Sequence, residues 1–136
     1  MTALLLAIML AAFGTSGTAA DVQVIANPNL AVSELTADEV RDVFLGTKTS
    51  IQGVAVEPVF EESGAAHETF LKTYIGKSDT ALRNYFKTLV FTGKGTQPKA
   101  FASDAEVVKY VASTRGAIAY VSASAEVAGA KKIQVR

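Results

Sequence analysis

The alternation of short apolar strands with amphipathic helices is what most limits the folds open to this chain. Val22-Gln23-Val24-Ile25-Ala26 reads as a first strand, closed by the turn formers Asn27-Pro28-Asn29. Thr36 with Glu39 three residues later is a capping-box signature, and Val40, Val43 and Phe44 supply a helical apolar stripe that Gly46 ends. Val54–Phe60 is a second strand; its Pro58 has no N–H and so belongs near an edge or a strand end. Ser63 is placed to cap a helix bearing Ala66, Phe70, Leu71, Tyr74 and Ile75, stopped by Gly76. Ser78 opens the next helix, lined by Leu82, Tyr85, Phe86, Leu89 and Val90, and a Gly-rich loop runs from Phe91 to Pro98. Ser103 with Glu106 forms a second capping box, before a helix with Val107, Val108, Tyr110 and Val111 that ends before Gly116. Ala117–Val121 is a third strand and Lys132–Val135 a last one. This order predicts an α/β domain, a mostly parallel sheet flanked by helices.

The domain is expected over residues 21–136, because Met1–Ala20 reads as a secretory signal peptide. Its apolar run, Leu4–Phe13, is shorter than the ~20 residues a bilayer span requires, and small residues follow up to Thr18-Ala19-Ala20. No Lys or Arg precedes the run, so a buried N-terminal helix or an uncleaved anchor is the alternative. A signal implies a periplasmic or otherwise exported protein. Without cysteine there can be no disulfide, thiolate nucleophile or cysteine metal site. Net charge is zero but unevenly spread: nine acidic residues against Arg41 and Lys48 up to Glu68, then eleven basic against four acidic. Such asymmetry suits one face to anions or an acidic partner, unless the charges intermix on folding.

Candidate chemistry concentrates at "FEESGAAHETF", Phe60–Phe70, where a strand enters a helix through Ser63-Gly64. The first N–H groups of a helix are unpaired and its dipole is positive there, so such a junction can hold an anion. Glu61 and Glu62 stand just before it. His67, the only histidine, reads as a partly exposed helix residue; with Ser63 it completes no catalytic triad. Strand alternation turns Glu57 and Glu61 to one face, as a solvated strand edge would. "TGKG", Thr92–Gly95, lacks P-loop spacing, and the dispersed lysines do not outline a nucleic-acid surface. No enzyme, cofactor or metal site emerges.

The order of elements resembles the phosphate-binding proteins of ABC transporters, in the type II periplasmic binding protein superfamily, and especially their short single-domain relatives. The matching pieces are "LTADEVRDVFLG" (Leu35–Gly46), "VEPVF", the Ser63-Gly64 turn, "NYFKTLVFTGKG" and "TRGAIAYV" (Thr114–Val121). The resemblance implies a single lobe of a fold in which two lobes close on phosphate, one contact being a Ser-Gly-Thr turn at a helix start. Ser63 and Gly64 match that turn, and Ala65 stands in place of the Thr. The family's Arg four positions before the Ser is Val59 here, Arg115 replaces a usual Pro, and Ala119 a usual Gly. An Arg–phosphate pair is a strong contact, so Val59→Arg should strengthen anion binding if that position faces the site. The implied ligand-binding set is Ser63, Gly64 and Ala65, joined by Asn27, Asn29 or Arg115 from neighbouring loops. The implied partners are phosphate or a similar small anion and a membrane transporter or sensor. A ligand-free interaction module, docking onto an envelope protein or self-associating as a homo-oligomer, is the alternative. Ser63→Ala should cost about 1 kcal/mol through loss of the cap.

Overall fold

Strands buried on both faces must be apolar at nearly every position, and the central strands of this chain are. The computed structural model describes residues 22–136, and the signal-peptide reading of Met1–Ala20 lies outside them. In chain order the strands are β1 (Val22–Ala26), β2 (Glu34–Leu35), β3 (Ser50–Ile51), β4 (Val54–Ala55), β5 (Glu57–Glu61), β6 (Lys99–Phe101), β7 (Ala117–Ser122) and β8 (Lys131–Val135). Six of them form one sheet in the order β2-β8-β1-β7-β5-β6, and β3 and β4 make a separate hairpin. β5 runs parallel to both β6 and β7, and β2 parallel to β8; β1 alone opposes its neighbours. The expectation of a mostly parallel α/β sheet holds.

The helices are α1 (Ala37–Phe44), α2 (Ala65–Phe70), α3 (Asp79–Phe91) and α4 (Asp104–Ser113). Along β7 the side chains alternate between two cores. Ala117, Ala119 and Val121 join Ile25, Val59 and the valines of α4. Ile118 and Tyr120 join Phe44 of α1, Phe70 of α2 and Phe86 of α3 on the other face. The sheet is thus covered by three helices on one side and one on the other.

The helix starts follow their sequence signals at three of four positions. At α1 the capping box is complete: Glu39 N–H donates to Thr36 Oγ1 (3.1 Å) and Thr36 N–H to Glu39 Oε1 (3.2 Å). Ser78 Oγ accepts from Ala81 N–H at the start of α3 (3.2 Å). Ser103 Oγ accepts from Glu106 N–H at α4 (3.3 Å), while the Glu106 carboxylate takes Ala102 N–H instead of the serine's own. At α2 the N-cap is Gly64, at φ 105°, and no side chain caps the turn. Ser63 is therefore not a cap, and the cost expected for Ser63→Ala on that ground does not apply. Past Phe70 the helix widens into a π-helical stretch, Leu71–Ile75, which the sequence pattern did not announce. It ends at Gly76, φ 73°, as expected.

Two segments differ from their sequence reading. Val54–Phe60 is broken: Val54–Ala55 pairs with Ser50–Ile51 across Gln52 (φ 49°) and Gly53 (φ 80°), the two positive-φ positions of a type I′ hairpin. Only from Glu57 does the chain enter the sheet, and Pro58 precedes the pairing with β6, which begins at Val59. A proline near a strand end was expected. β6 itself went unread, because three residues at an exposed edge carry no periodicity.

Gly116 enters β7 at φ 79°, and a Cβ there would lie 2.3 Å from the Ala55 carbonyl oxygen. Gly116→Ala should therefore lower stability by roughly 2–4 kcal/mol, the sum of a left-handed backbone and an overpacked contact. Urea unfolding checks this; a loss below about 0.5 kcal/mol, the surface norm, would mean that the close approach is not enforced.

Candidate functional site

β5, β6 and β7 all point their carboxyl ends the same way, and open α/β sheets bind ligands outside that edge. There β5 ends at Glu61 and β7 at Ser122, and α2 and α4 begin nearby. Tyr120, fully buried on β7, stacks its ring on Phe70 at 3.9 Å between centroids. Its hydroxyl accepts from Glu61 N–H (3.0 Å) and bonds to Nδ1 of His67. Burial pushes the phenol above its ordinary range, so it keeps its proton. That single proton goes to His67 Nδ1, which leaves Nε2–H to donate to Asp79 Oδ1 at 2.8 Å. Arg83 Nε–H donates to the other Asp79 oxygen at 2.7 Å. The His67 bond, and then Arg83, hold the Asp79 carboxyl below the usual range. One hydrogen-bonded chain thus ties β7, the end of β5, α2 and α3 together.

His67 is only 4% exposed, so the partly exposed histidine of the sequence reading is corrected. Both its ring nitrogens are taken, and neither is free to serve Ser63 as a base. Nothing local could have revealed this, since Tyr120 is 53 residues away along the chain.

The second buried group is Glu61, 6% exposed. Burial, and then the Asp104 carboxylate, push it from the ordinary 4.5 up to about 8. Asp104 is held below its ordinary range by the hydrogen bond from Glu61, and it also accepts Ser122 N–H at 3.2 Å. The two carboxyls share one proton at neutral pH. Glu57 lies on the same side of β5, as alternation required, but Tyr110 of α4 donates to it at 2.7 Å, so it is held by a partner and not simply solvated.

A cleft of about 440 Å³ opens beside this network, lined by Glu61, Glu62, His67, Asp79 and Arg83 with Phe60 and Phe86. Ser63, Gly64 and Ala65 form an exposed turn between Glu62 and His67. The first helical bond of α2 is Glu68 N–H to the Gly64 carbonyl (3.0 Å). The amides of Ala65, Ala66 and His67 therefore have no place in the helix ladder, and no side-chain cap takes them.

The remaining expected site residues are elsewhere. Asn27 Nδ2 donates to the Val111 (2.9 Å) and Ala112 (3.2 Å) carbonyls, and Asn29 Oδ1 accepts Gly116 N–H (2.9 Å). These bonds fasten the end of β1 to the end of α4 and the start of β7. Arg115 adjoins them. Since Ala26 pairs with Ile118 and Val22 with Ser122, this is the opposite end of the sheet from Glu61. Asn27, Asn29 and Arg115 do not join the Ser63 turn. Val59 is fully buried against α4, so Val59→Arg would place a charge in the core and not at the turn. The cation that does face the cleft is Arg83. Its pairing with Asp79 at i,i+4, directly after the Ser78 cap, was a readable signal.

No family model and no curated protein matches this chain. Solved structures of similar fold do. One, from Clostridium perfringens with bound phosphate, superposes with a TM-score of 0.63 at 17% identity, over 85% of this chain and 44% of that one. An ABC-type phosphate transport receptor from Vibrio cholerae gives 0.58 at 13% identity, over 85% and 46%. PstS from Borrelia burgdorferi gives 0.64 at 12% identity, over 85% and 47%. At these identities the likeness is one of fold, and the chain spans less than half the length of the structures it matches.

Tyr120→Phe removes the hydroxyl that serves both Glu61 N–H and His67 Nδ1, and should cost about 2–4 kcal/mol for two orphaned buried groups. A melting midpoint equal to the wild type's would show that the network is not formed. Glu61 binds its proton more tightly folded than unfolded, so the stability it supplies is full below pH 4.5 and is lost as pH rises through about 8. Glu61→Gln should flatten that part of the stability–pH curve; an unchanged slope would mean that Glu61 ionises normally.

Proposed function

We propose that this chain is an exported, non-enzymatic solute-binding lobe that takes phosphate or a related oxyanion at the start of α2. The observation that carries this reading is the uncapped first turn of α2, with Ser63, Gly64 and Ala65 exposed at the carboxyl edge of the parallel strands. The backbone amides from Gly64 to His67 would supply the contact, in the direction the helix dipole favours. Arg83 would take the part that the family's arginine has in the resemblance described above. It lines the same cleft as Glu61, Glu62 and His67 and has further donors besides the one given to Asp79. The proton shared by Glu61 and Asp104 supports an anionic ligand, because it removes one of the charges that would repel it. No bond is made or broken in this reading, which is consistent with a His67 whose nitrogens are both occupied. Export rests on the sequence of Met1–Ala20, and a link to ABC phosphate uptake or sensing rests on what the structural neighbours are.

A second reading has its own support. Glu62 and Asp79 still bring negative charge to the cleft, and the chain covers under half of each neighbour. A lobe that kept the fold and lost the ligand would act as an interaction module, docking onto a membrane transporter or sensor or onto another copy.

Calorimetric titration with phosphate, repeated with sulfate at fixed ionic strength, separates the two. Saturable binding that weakens once pH passes about 8, where Glu61 gives up its proton, is the expected result. Silence for both ions below that pH would overturn the anion reading in favour of the interaction module.

A further inference from the structure

Phe91, the last residue of α3, is 93% exposed, and Val90 beside it 49%. Among the described residues these are the exposed large apolar side chains. The helix end that presents them is firmly built. Gly93, at φ 69°, donates its N–H to the Val90 carbonyl (3.1 Å), and Lys94 N–H reaches the Leu89 carbonyl (2.9 Å). These are the paired bonds of a Schellman turn. Thr92 Oγ1 adds a bond to the Thr88 carbonyl at 2.7 Å. The ring is held outward by ordered backbone.

The charge around it has one sign. From Thr80 to Ser103 the chain carries Arg83, Lys87, Lys94 and Lys99 and no carboxylate. Arg83 is paired with Asp79 and Lys99 with Glu57. Among the described residues no carboxylate pairs with Lys87 or Lys94. Lys87 precedes Phe91 by four residues and so shares its helix face, and Lys94 follows directly after the turn.

We propose that the C-terminal end of α3 docks onto a lipid bilayer bearing anionic headgroups, with Phe91 and Val90 at the headgroup–acyl boundary and Lys87 and Lys94 against the lipid charges. A protruding ring flanked by unpaired lysines matches the two halves of such an interface, apolar depth and anionic surface. An acidic protein would complement the same charge. Four side chains at one helix end, however, fall well short of the ~1,200 Å² that a stable protein interface buries. A bilayer needs no matching pocket. The inference is independent of ligand binding at α2, which lies at the other end of α3.

The chain contains no tryptophan, so Phe91→Trp in the full-length protein places a fluorophore that reports on this position alone, whatever Met1–Ala20 does. Vesicles of mixed phosphatidylglycerol and phosphatidylcholine should shift its emission to the blue at low salt, and added salt should reverse the shift. Pure phosphatidylcholine vesicles should leave it unchanged, as should the mixed vesicles when Lys87→Glu and Lys94→Glu are added. Unchanged emission on the anionic vesicles, or an equal shift on both kinds, would overturn the proposal. A shift with soluble polyglutamate but not with anionic vesicles would reassign the surface to an acidic protein.

Discussion

The hydroxyl of Tyr120 is the point on which the carboxyl edge of this sheet depends. It sits on β7, one of the two middle strands, with its ring between Phe70, Phe60 and Phe44 and no exposure to water. A polar atom in such surroundings must find partners, or its burial destabilises the fold. The partners it finds belong to other elements: the backbone of Glu61 at the end of β5 and the imidazole of His67 on α2. His67 in turn reaches Asp79 on α3, which engages Arg83. The aromatic core is therefore what sets the position of the first turn of α2. A helix start that no side chain caps is held instead from beneath, through His67, the third residue of its first turn.

That support leaves the turn open, and the surrounding charge decides what could use it. The low-dielectric setting that strengthens the Tyr120 bonds also makes two ionised carboxyls at Glu61 and Asp104 unfavourable together, so they hold a proton between them. The edge is then less negative than its composition implies, and Arg83 stands over the same cleft. The alternation of strands and helices brings Glu61, His67, Asp79 and Arg83 to this edge; the Asn27–Asn29 turn at the other edge is a clasp between β1, α4 and β7.

Local chemistry was legible in the sequence where it depends on neighbours along the chain. Thr36 with Glu39, Ser78, Ser103 and Gly76 each act within a few residues, and each marks a boundary near where it was read. The alternation that buries Ile118 and Tyr120 on one face and Ala117, Ala119 and Val121 on the other belongs to the same class. What escaped depends on contacts across the fold. His67 looked like a surface residue because neither Tyr120 nor Asp79 is near it in sequence, and Val59 was matched to the arginine position of the resemblance by its place four residues before Ser63, though it packs against α4 in the core. Ser63 looked like a cap because serine before a helix usually is one, yet the chain turns at Gly64 instead. β6 was hidden by its brevity.

A crystal structure determined with phosphate present, below the pH at which Glu61 ionises, is the most direct test of the account. It predicts the anion on the amides of Gly64 to His67, with a guanidinium nitrogen of Arg83 turned toward it and the Tyr120–His67–Asp79 bonds intact. An empty turn at saturating phosphate, or phosphate bound at the Asn27–Arg115 end of the sheet, would contradict it.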